Sequence, residues 1–282
     1  MPHRADAHIH LMSDANQGLS FADRPGIKID EVSLYSDFIE AHDIVAALIV
    51  GYEGGPHSAT NNNFIARMAT IHQWVRPVAY IEPQKVNIQV MEQFKQQKFY
   101  GISMYHSDDQ RTEALQAIGD EVWQWIVEHR WLISINSQGD HWAAWQPILQ
   151  RHGELHVVAS HLGLPPRVKE PPTSQEAIDA MAHITAMASF PGTRVKLSGF
   201  YALSDPGHDY PHRAAWPYVE VLVDHFGVDR LLWGSDCTPS LNTLTMPQTI
   251  DLFAKMSFLT SDDRAKIEGQ NLLALLDAVV RD

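Results

Sequence analysis

Four side chains suited to metal binding or proton transfer lie in or just after short apolar runs of the 282-residue sequence. Two of them, His8 and His10, stand in ADAHIHLM. His161 follows VVAS, and Asp236 ends RLLWGSD. Imidazole is a common neutral metal ligand and titrates near pH 7, while a carboxylate can serve as a general base. These residue types indicate acid–base or metal-assisted chemistry, provided that the fold brings them together.

The apolar runs alternate with amphipathic segments along the whole chain. We predict eight strands, at residues 5–12, 45–51, 76–82, 99–105, 131–138, 155–163, 194–201 and 230–236. Consecutive strands begin roughly 20 to 40 residues apart, which leaves room for one crossover helix each. Apolar residues recur with helical spacing at residues 61–73, 113–130, 175–189 and 260–280.

Repeated strand–helix units in a chain of this length predict an α/β fold, the (β/α)8 TIM barrel. We expect one domain over residues 1–282. The alternative, a doubly wound open sheet, would need a glycine-rich turn after the first strand, and HIHLMSDANQG is not one.

A barrel would collect the four side chains at one place. Active sites of such barrels form at the C-terminal ends of the strands, and these side chains fall at three of those ends. Residues two apart on a strand face the same side, so His8 and His10 should both point into the barrel. Each residue alone is weak evidence, but their coincidence at one mouth predicts a catalytic centre.

Four motifs also carry a resemblance to a known family. DAHIH, ASHLG, KLSG and LLWGSDCTP, in that order, resemble the amidohydrolase superfamily. The closer resemblance is to its amidohydrolase-2 group, which includes sugar lactonases, 2-pyrone-4,6-dicarboxylate lactonase and related decarboxylases. The resemblance implies that His8 and His10 line a metal or carbonyl site. It further implies that His161 assists them and that Asp236 handles the proton of the attacking water.

Two departures from the family pattern concern metal. The fourth predicted strand, FYGISMY, has no lysine, and the fifth has Asn136 where a histidine often stands. The resemblance therefore argues against a binuclear centre and leaves two alternatives open. One is a single divalent ion, zinc or manganese, held by His8, His10 and Asp236. The other is no metal, with the imidazoles polarising a carbonyl directly.

The expected activity is that of a hydrolase, metal-assisted or metal-independent. Such an enzyme would open a lactone of a small sugar acid or dicarboxylate with activated water. Asp236 is the only acid among the four and is the expected base. Beside three imidazoles it should stay ionised. The alternative is a metal-dependent decarboxylase of an unsaturated or aromatic acid, which would be expected to use a histidine at position 136.

Further residues are candidates for substrate binding. Five lie at or just past predicted strand ends: Tyr52, Glu82, Tyr105, Asn136 and Gln138. In the long loops, Arg167 and Arg213 would be bidentate clamps for an anionic substrate that carries a carboxylate. Lys196, within RVKLSG, either faces the barrel and contacts substrate or forms a buried ion pair.

Composition limits the partners and the location. Lys and Arg number 21 against 34 Asp and Glu, a net charge of −13, which argues against nucleic acid. The single cysteine allows no intrachain disulfide, and no signal-peptide core or long apolar run occurs. We expect a cytoplasmic protein without a membrane partner that binds a small molecule. The sequence leaves the oligomeric state open, and a homo-oligomer is one alternative because such barrels are often dimers or larger.

Overall fold

Eight parallel strands form one sheet, whose neighbours follow chain order from first to last. The structure is a computed structural model that describes residues 3–13, 29–53 and 58–279. The strands are β1 (Arg4–Ile9), β2 (Ile44–Val50), β3 (Val75–Tyr80), β4 (Gly101–Tyr105), β5 (Leu132–Asn136), β6 (His156–Ala159), β7 (Thr193–Leu197) and β8 (Leu231–Trp233). Most strand residues are buried, as expected where helices cover the outside of a parallel sheet.

Helices connect the strands. They are α1 (Glu31–His42), α2 (Asn61–Ile71), α3 (Ile88–Gln96), α4 (Asp109–Gln116), α5 (Asp120–Glu128), α6 (Trp145–Arg151), α7 (Ser174–Thr185), α8 (Phe200–Leu203), α9 (Trp216–Phe226), α10 (Met246–Asp251), α11 (Ser261–Ala265) and α12 (Asn271–Ala278). A π-helical turn, Lys266–Gln270, joins the last two. The predicted (β/α)8 barrel is confirmed. Within the described ranges, no helix combines the length and apolarity needed to cross a membrane.

Several predicted elements are too long. The strand predicted at 155–163 ends at Ala159, and the one predicted at 230–236 ends at Trp233. In both cases the chain soon enters the left-handed backbone region, at His161 and Asp236, which no strand can contain. The helix predicted over 113–130 is instead two helices, because the backbone at Gly119 is extended and caps the N-terminus of α5.

The barrel closes between β1 and the segment that follows β8. Ile9 forms a parallel bridge with Cys237. On either side, the amide of Asp236 donates to the carbonyl of His8 (2.8 Å), and the amide of His10 donates to the carbonyl of Cys237 (2.5 Å). Asp6 also spans the seam, because its Oδ1 accepts from the Ser235 amide at 2.9 Å. The seam therefore fixes the first and last strand ends against each other.

Asp6 is the charged group of this seam. It is fully buried and accepts two further hydrogen bonds, from the amide of His8 (3.1 Å) and the hydroxyl of Tyr35 (2.8 Å). Burial raises the pKa of Asp6 to about 6, although the hydrogen bonds from Ser235, His8 and Tyr35 lower it. Asp6 is therefore ionised above that pH, and its donors then hold a buried carboxylate.

Removing the Tyr35 donor should destabilise the protein. We expect Tyr35→Phe to lower the free energy of unfolding at pH 8 by about 1.5–3 kcal/mol, the range for hydrogen bonds to charged groups. Near pH 5 the loss should shrink, because Asp6 is then protonated in the folded protein. Urea unfolding at the two pH values measures both numbers. The control is Tyr218→Phe, since Tyr218 donates to the neutral carbonyl of Pro166. Equal losses in both variants would contradict the role given to Asp6.

Candidate active site at the barrel mouth

His8 and His10 face each other at the end of β1. Their Nε2 atoms lie 3.0 Å apart. The Nδ1 atom of His10 lies 2.8 Å from the carbonyl oxygen of Val50, at the end of β2. Because a carbonyl oxygen only accepts, Nδ1 of His10 carries the proton and its Nε2 presents a lone pair. Gly234 permits this packing, since a Cβ there would lie 2.8 Å from the Cβ of His8.

Lys196 lies in the barrel interior behind His8. Its side chain is fully buried in β7, and Nζ lies 3.1 Å from Nδ1 of His8 and 2.6 Å from Oγ of Ser134. Of the two sequence alternatives, the structure supports the inward orientation. In the described chain, Nζ bonds to these two groups and not to a carboxylate. Burial lowers the pKa of Lys196 to about 7, although Asp236 and Asp6 oppose the shift.

Asp236 stands beside both histidines. Its Oδ1 lies 3.7 Å from Nε2 of His8 and 3.8 Å from Nε2 of His10. The hydroxyl of Tyr201 donates to Oδ2 at 2.6 Å. The sequence predicted that the imidazoles would keep this carboxyl ionised. Burial raises the pKa of this carboxyl, against the lowering by His10, Tyr201 and Lys196. The imidazole effect thus has the predicted sign, and desolvation, which the sequence does not reveal, opposes it.

His161 completes the cluster from the end of β6. Its ring centroid lies 4.6 Å from that of His8, and its Nδ1 lies 3.0 Å from Oγ of Ser198. Gly199 makes room for it, because a Cβ at Gly199 would lie 2.5 Å from Nδ1 of His161. Burial lowers the pKa of His161 to about 3, so the ring is neutral. Both His161 and Asp236 have positive φ, at 51° and 56°, a backbone state that often marks functional sites.

The cluster offers the donors of a single-ion site. One ligand atom from each of His8, His161 and Asp236 falls within 4.8 Å of the others. The metal ligands predicted from the sequence were His8, His10 and Asp236, so His161 takes the place of His10 in this group. Nε2 of His10 nevertheless lies close, 3.0 Å from Nε2 of His8. Imidazole nitrogens with one carboxylate suit zinc, and manganese accepts such ligands as well. By donor chemistry, the residues fit one divalent ion.

Three tyrosines pack together, and one of them, Tyr105, lies within electrostatic range of Asp236. Tyr52, Tyr80 and Tyr105 contact one another, with ring centroids 5.3–5.8 Å apart. Burial, and then the charge of Asp236, raise the pKa of Tyr105, so its hydroxyl is protonated. Tyr52 and Tyr105 are among the predicted substrate-binding residues, whereas Tyr80 and Tyr201 are not. Tyr80 lies near the end of the strand predicted over 76–82, and Tyr201 ends the one predicted over 194–201, so placement at a predicted strand end is the signal that could have found both.

The other predicted residues make contacts away from the four-residue cluster. Glu82 pairs with Lys85 (2.5 Å), and Arg213 lies 5.5 Å from the ring centre of Trp216. Asn136 ends β5 opposite Tyr105. Gln138 and Arg167 line a common cavity of about 750 Å³. The guanidinium of Arg167 is half exposed and bonds to Asp205 (3.3 Å) and the carbonyl of Ser204 (2.9 Å).

The fold and the cluster agree with a family assignment. The amidohydrolase family profile, Amidohydro_2, matches residues 5–277, nearly the whole chain. The chain therefore belongs to the amidohydrolase family.

Individual relatives are more distant. An L-fucono-1,5-lactonase from Burkholderia ambifaria is 33% identical over 87 residues, which are 31% of this chain and 28% of that protein. An amidohydrolase from Burkholderia multivorans with bound zinc superposes with a TM-score of 0.76 at 17% identity, covering 98% of this chain and 99% of the other. A putative 2-pyrone-4,6-dicarboxylic acid hydrolase from Pseudomonas putida gives 0.71 at 19% identity, with 99% of each chain covered.

Proposed function

We propose that this protein hydrolyses a small lactone with activated water and that Asp236 is the general base. The main support for this role is the position of Oδ1 of Asp236, which lies 3.7 Å from Nε2 of His8 and 3.8 Å from Nε2 of His10. Oδ2 is held by Tyr201, so the other oxygen is left to face the reacting groups. The local likeness to a lactonase supports the same reaction.

The chemistry follows from these positions. Asp236 takes a proton from water as the water oxygen forms a bond to the lactone carbonyl carbon, whose oxygen becomes an oxyanion. The Nε2–H of His8, which turns from His10 to the substrate, stabilises that oxyanion. When the carbonyl re-forms, the ring C–O bond breaks and the leaving alkoxide takes the proton from Asp236. The product is an open hydroxy acid, and Asp236 returns as the carboxylate.

A divalent ion at this site would be held by His8, His161 and Asp236, with His10 beside them. Such an ion would polarise the carbonyl or lower the pKa of a bound water. Asp236 accepts the proton through Oδ1, and Tyr201 orients it by donating to Oδ2.

Within the described residues, the surroundings favour a neutral, hydroxyl-bearing lactone. Tyr105 lies within electrostatic range of Asp236, and the rings of Tyr52 and Tyr80 pack against it. The arginines predicted as carboxylate clamps are engaged elsewhere, Arg167 by Asp205 and Arg213 over Trp216. Phenol rings and hydroxyls suit sugar rings, whereas a dicarboxylate would require cationic partners. We therefore propose a lactone of a sugar acid as substrate.

The base is tested by Asp236→Asn. The amide cannot accept the proton of water, so we expect kcat to fall by about 10²–10⁴-fold, the usual contribution of general base catalysis. The fold should be retained, as checked by circular dichroism. Asp205→Asn is the control, because Asp205 is a partly exposed carboxylate that pairs with Arg167 and Lys169. A variant at position 236 with turnover near that of the parent would refute the assignment.

Tyr201 should set the pH at which the base works. Tyr201→Phe removes a hydrogen bond that stabilises the carboxylate, so the pKa of Asp236 should rise further. Activity requires the ionised base and therefore increases with pH. The acidic limb of the kcat/KM profile should move to higher pH while activity at the alkaline plateau largely remains. An unmoved limb, or one that moves to lower pH, would contradict this role.

The substrate class is tested with a panel of lactones. We expect L-fucono-1,5-lactone and other neutral sugar lactones to exceed 2-pyrone-4,6-dicarboxylate in kcat/KM by about tenfold or more, the effect of one unmatched charged contact. The reverse order would favour an anionic substrate and a carboxylate clamp. Release of carbon dioxide from an aromatic acid, with no lactone turned over, would favour the decarboxylase alternative.

A further inference from the structure

We propose that Lys196 is a positioning residue that holds His8 in the tautomer protonated on Nε2 and thereby opposes binding of a divalent ion at the candidate active site. The inference deepens the proposed function, since it concerns the same cluster and decides whether His8 acts as an N–H donor. Its test needs no turnover, so it can fail or succeed independently of the lactonase proposal.

The Val50 carbonyl determines which nitrogens of His10 and His8 carry protons. The Val50 carbonyl accepts from Nδ1 of His10 at 2.8 Å, which leaves a lone pair on Nε2 of that neutral ring. Nε2 of His8 lies 3.0 Å from this lone pair, within hydrogen-bond range. Two lone pairs at that distance would repel, so Nε2 of His8 must carry the proton.

Lys196, on the other side of His8, also requires the proton of His8 to be on Nε2. Nζ of Lys196 carries N–H groups and lies 3.1 Å from Nδ1 of His8. A neutral imidazole has one proton, so Nδ1 accepts from Lys196 and Nε2 donates. The four groups form one directed chain, from Lys196 through His8 and His10 to the Val50 carbonyl. Each of its three links pairs one donor with one acceptor.

The positions of these protons affect how His10 and His8 could bind a metal ion. His10 is ready to bind one, because a ligand histidine usually donates its other N–H to a carbonyl or carboxylate. His8 is not ready, since a ligand nitrogen must give up its proton. Moving that proton to Nδ1 would point it at Nζ of Lys196. The other polar atom near Nδ1 is Oγ of Ser160, at 3.4 Å. Binding an ion through Nε2 of His8 therefore competes with the hydrogen bond from Lys196.

Zinc affinity gives one test. Lys196→Met removes the donor and leaves Oγ of Ser160 to accept from Nδ1–H, so we expect zinc to bind about tenfold tighter or more, the scale of outer-shell effects on metal sites. Competition with a chromophoric chelator, in metal-free protein at fixed pH, measures the dissociation constants. Lys266→Met is the matched control, because this exposed lysine pairs with Asp229 and its removal changes the net charge equally. Equal affinities in the parent and Lys196→Met would overturn the proposal.

The tautomer itself gives a second test that needs no variant at position 196. Long-range ¹H–¹⁵N spectra of ¹⁵N-histidine protein distinguish a protonated ring nitrogen from a bare one, and His8 is assigned by the signals that His8→Gln removes. We expect a bare Nδ1 and a protonated Nε2 in the metal-free protein. The opposite tautomer would overturn the proposal, even if Lys196→Met fails to fold. Where that variant folds, its His8 should shift to the form protonated on Nδ1.

Discussion

The candidate site depends on the seam that joins β1 to the segment after β8. His8 and His10 belong to the beginning of the chain and Asp236 to its last fifth, and only closure of the barrel brings them within 4 Å. Backbone hydrogen bonds across the seam set their spacing, and the buried carboxylate of Asp6 ties the amides of His8 and Ser235 together. Because the site residues and the closure contacts alternate along the same short segments, the geometry of the cluster cannot be separated from the integrity of the barrel.

Burial then determines which members of the cluster carry charge. Desolvation raises the pKa of Asp236, and it lowers the pKa of Lys196, His8 and His161. All four shifts favour the uncharged form, so few charges are sustained in this volume. The carboxylate of Asp236 and the ammonium of Lys196 lie on opposite sides of the His8 ring, and each charge stabilises the other. Neutral imidazoles are what remains, and neutral imidazoles can donate hydrogen bonds or bind a metal.

The barrel and its four-residue cluster could be predicted from the sequence because each rests on local patterns. Apolar runs mark the strands, and polar side chains at their ends share one mouth by the geometry of the fold. The exact ends of β6 and β8 could not be predicted. Both strands are shorter than the apolar runs suggest, and the backbone then enters the left-handed region at His161 and Asp236. The contact of Tyr201 with Asp236 could not be predicted either, because Tyr201 reaches Asp236 from a helical turn beyond β7, and its partner is 35 residues away.

The role of Lys196 shows why the donor set alone does not define the chemistry. Three imidazoles and a carboxylate at a barrel mouth fit a divalent ion, and a solved structure that shares this fold holds zinc. Yet the proton on an imidazole is set by what its other nitrogen touches, and here that contact comes from a lysine two strands away from His8 around the barrel. Lys196 sits under the cluster, out of the mouth, and was ambiguous in the sequence for that reason. A residue with no access to solvent can thus determine whether the histidines above it serve as metal ligands or as hydrogen-bond donors.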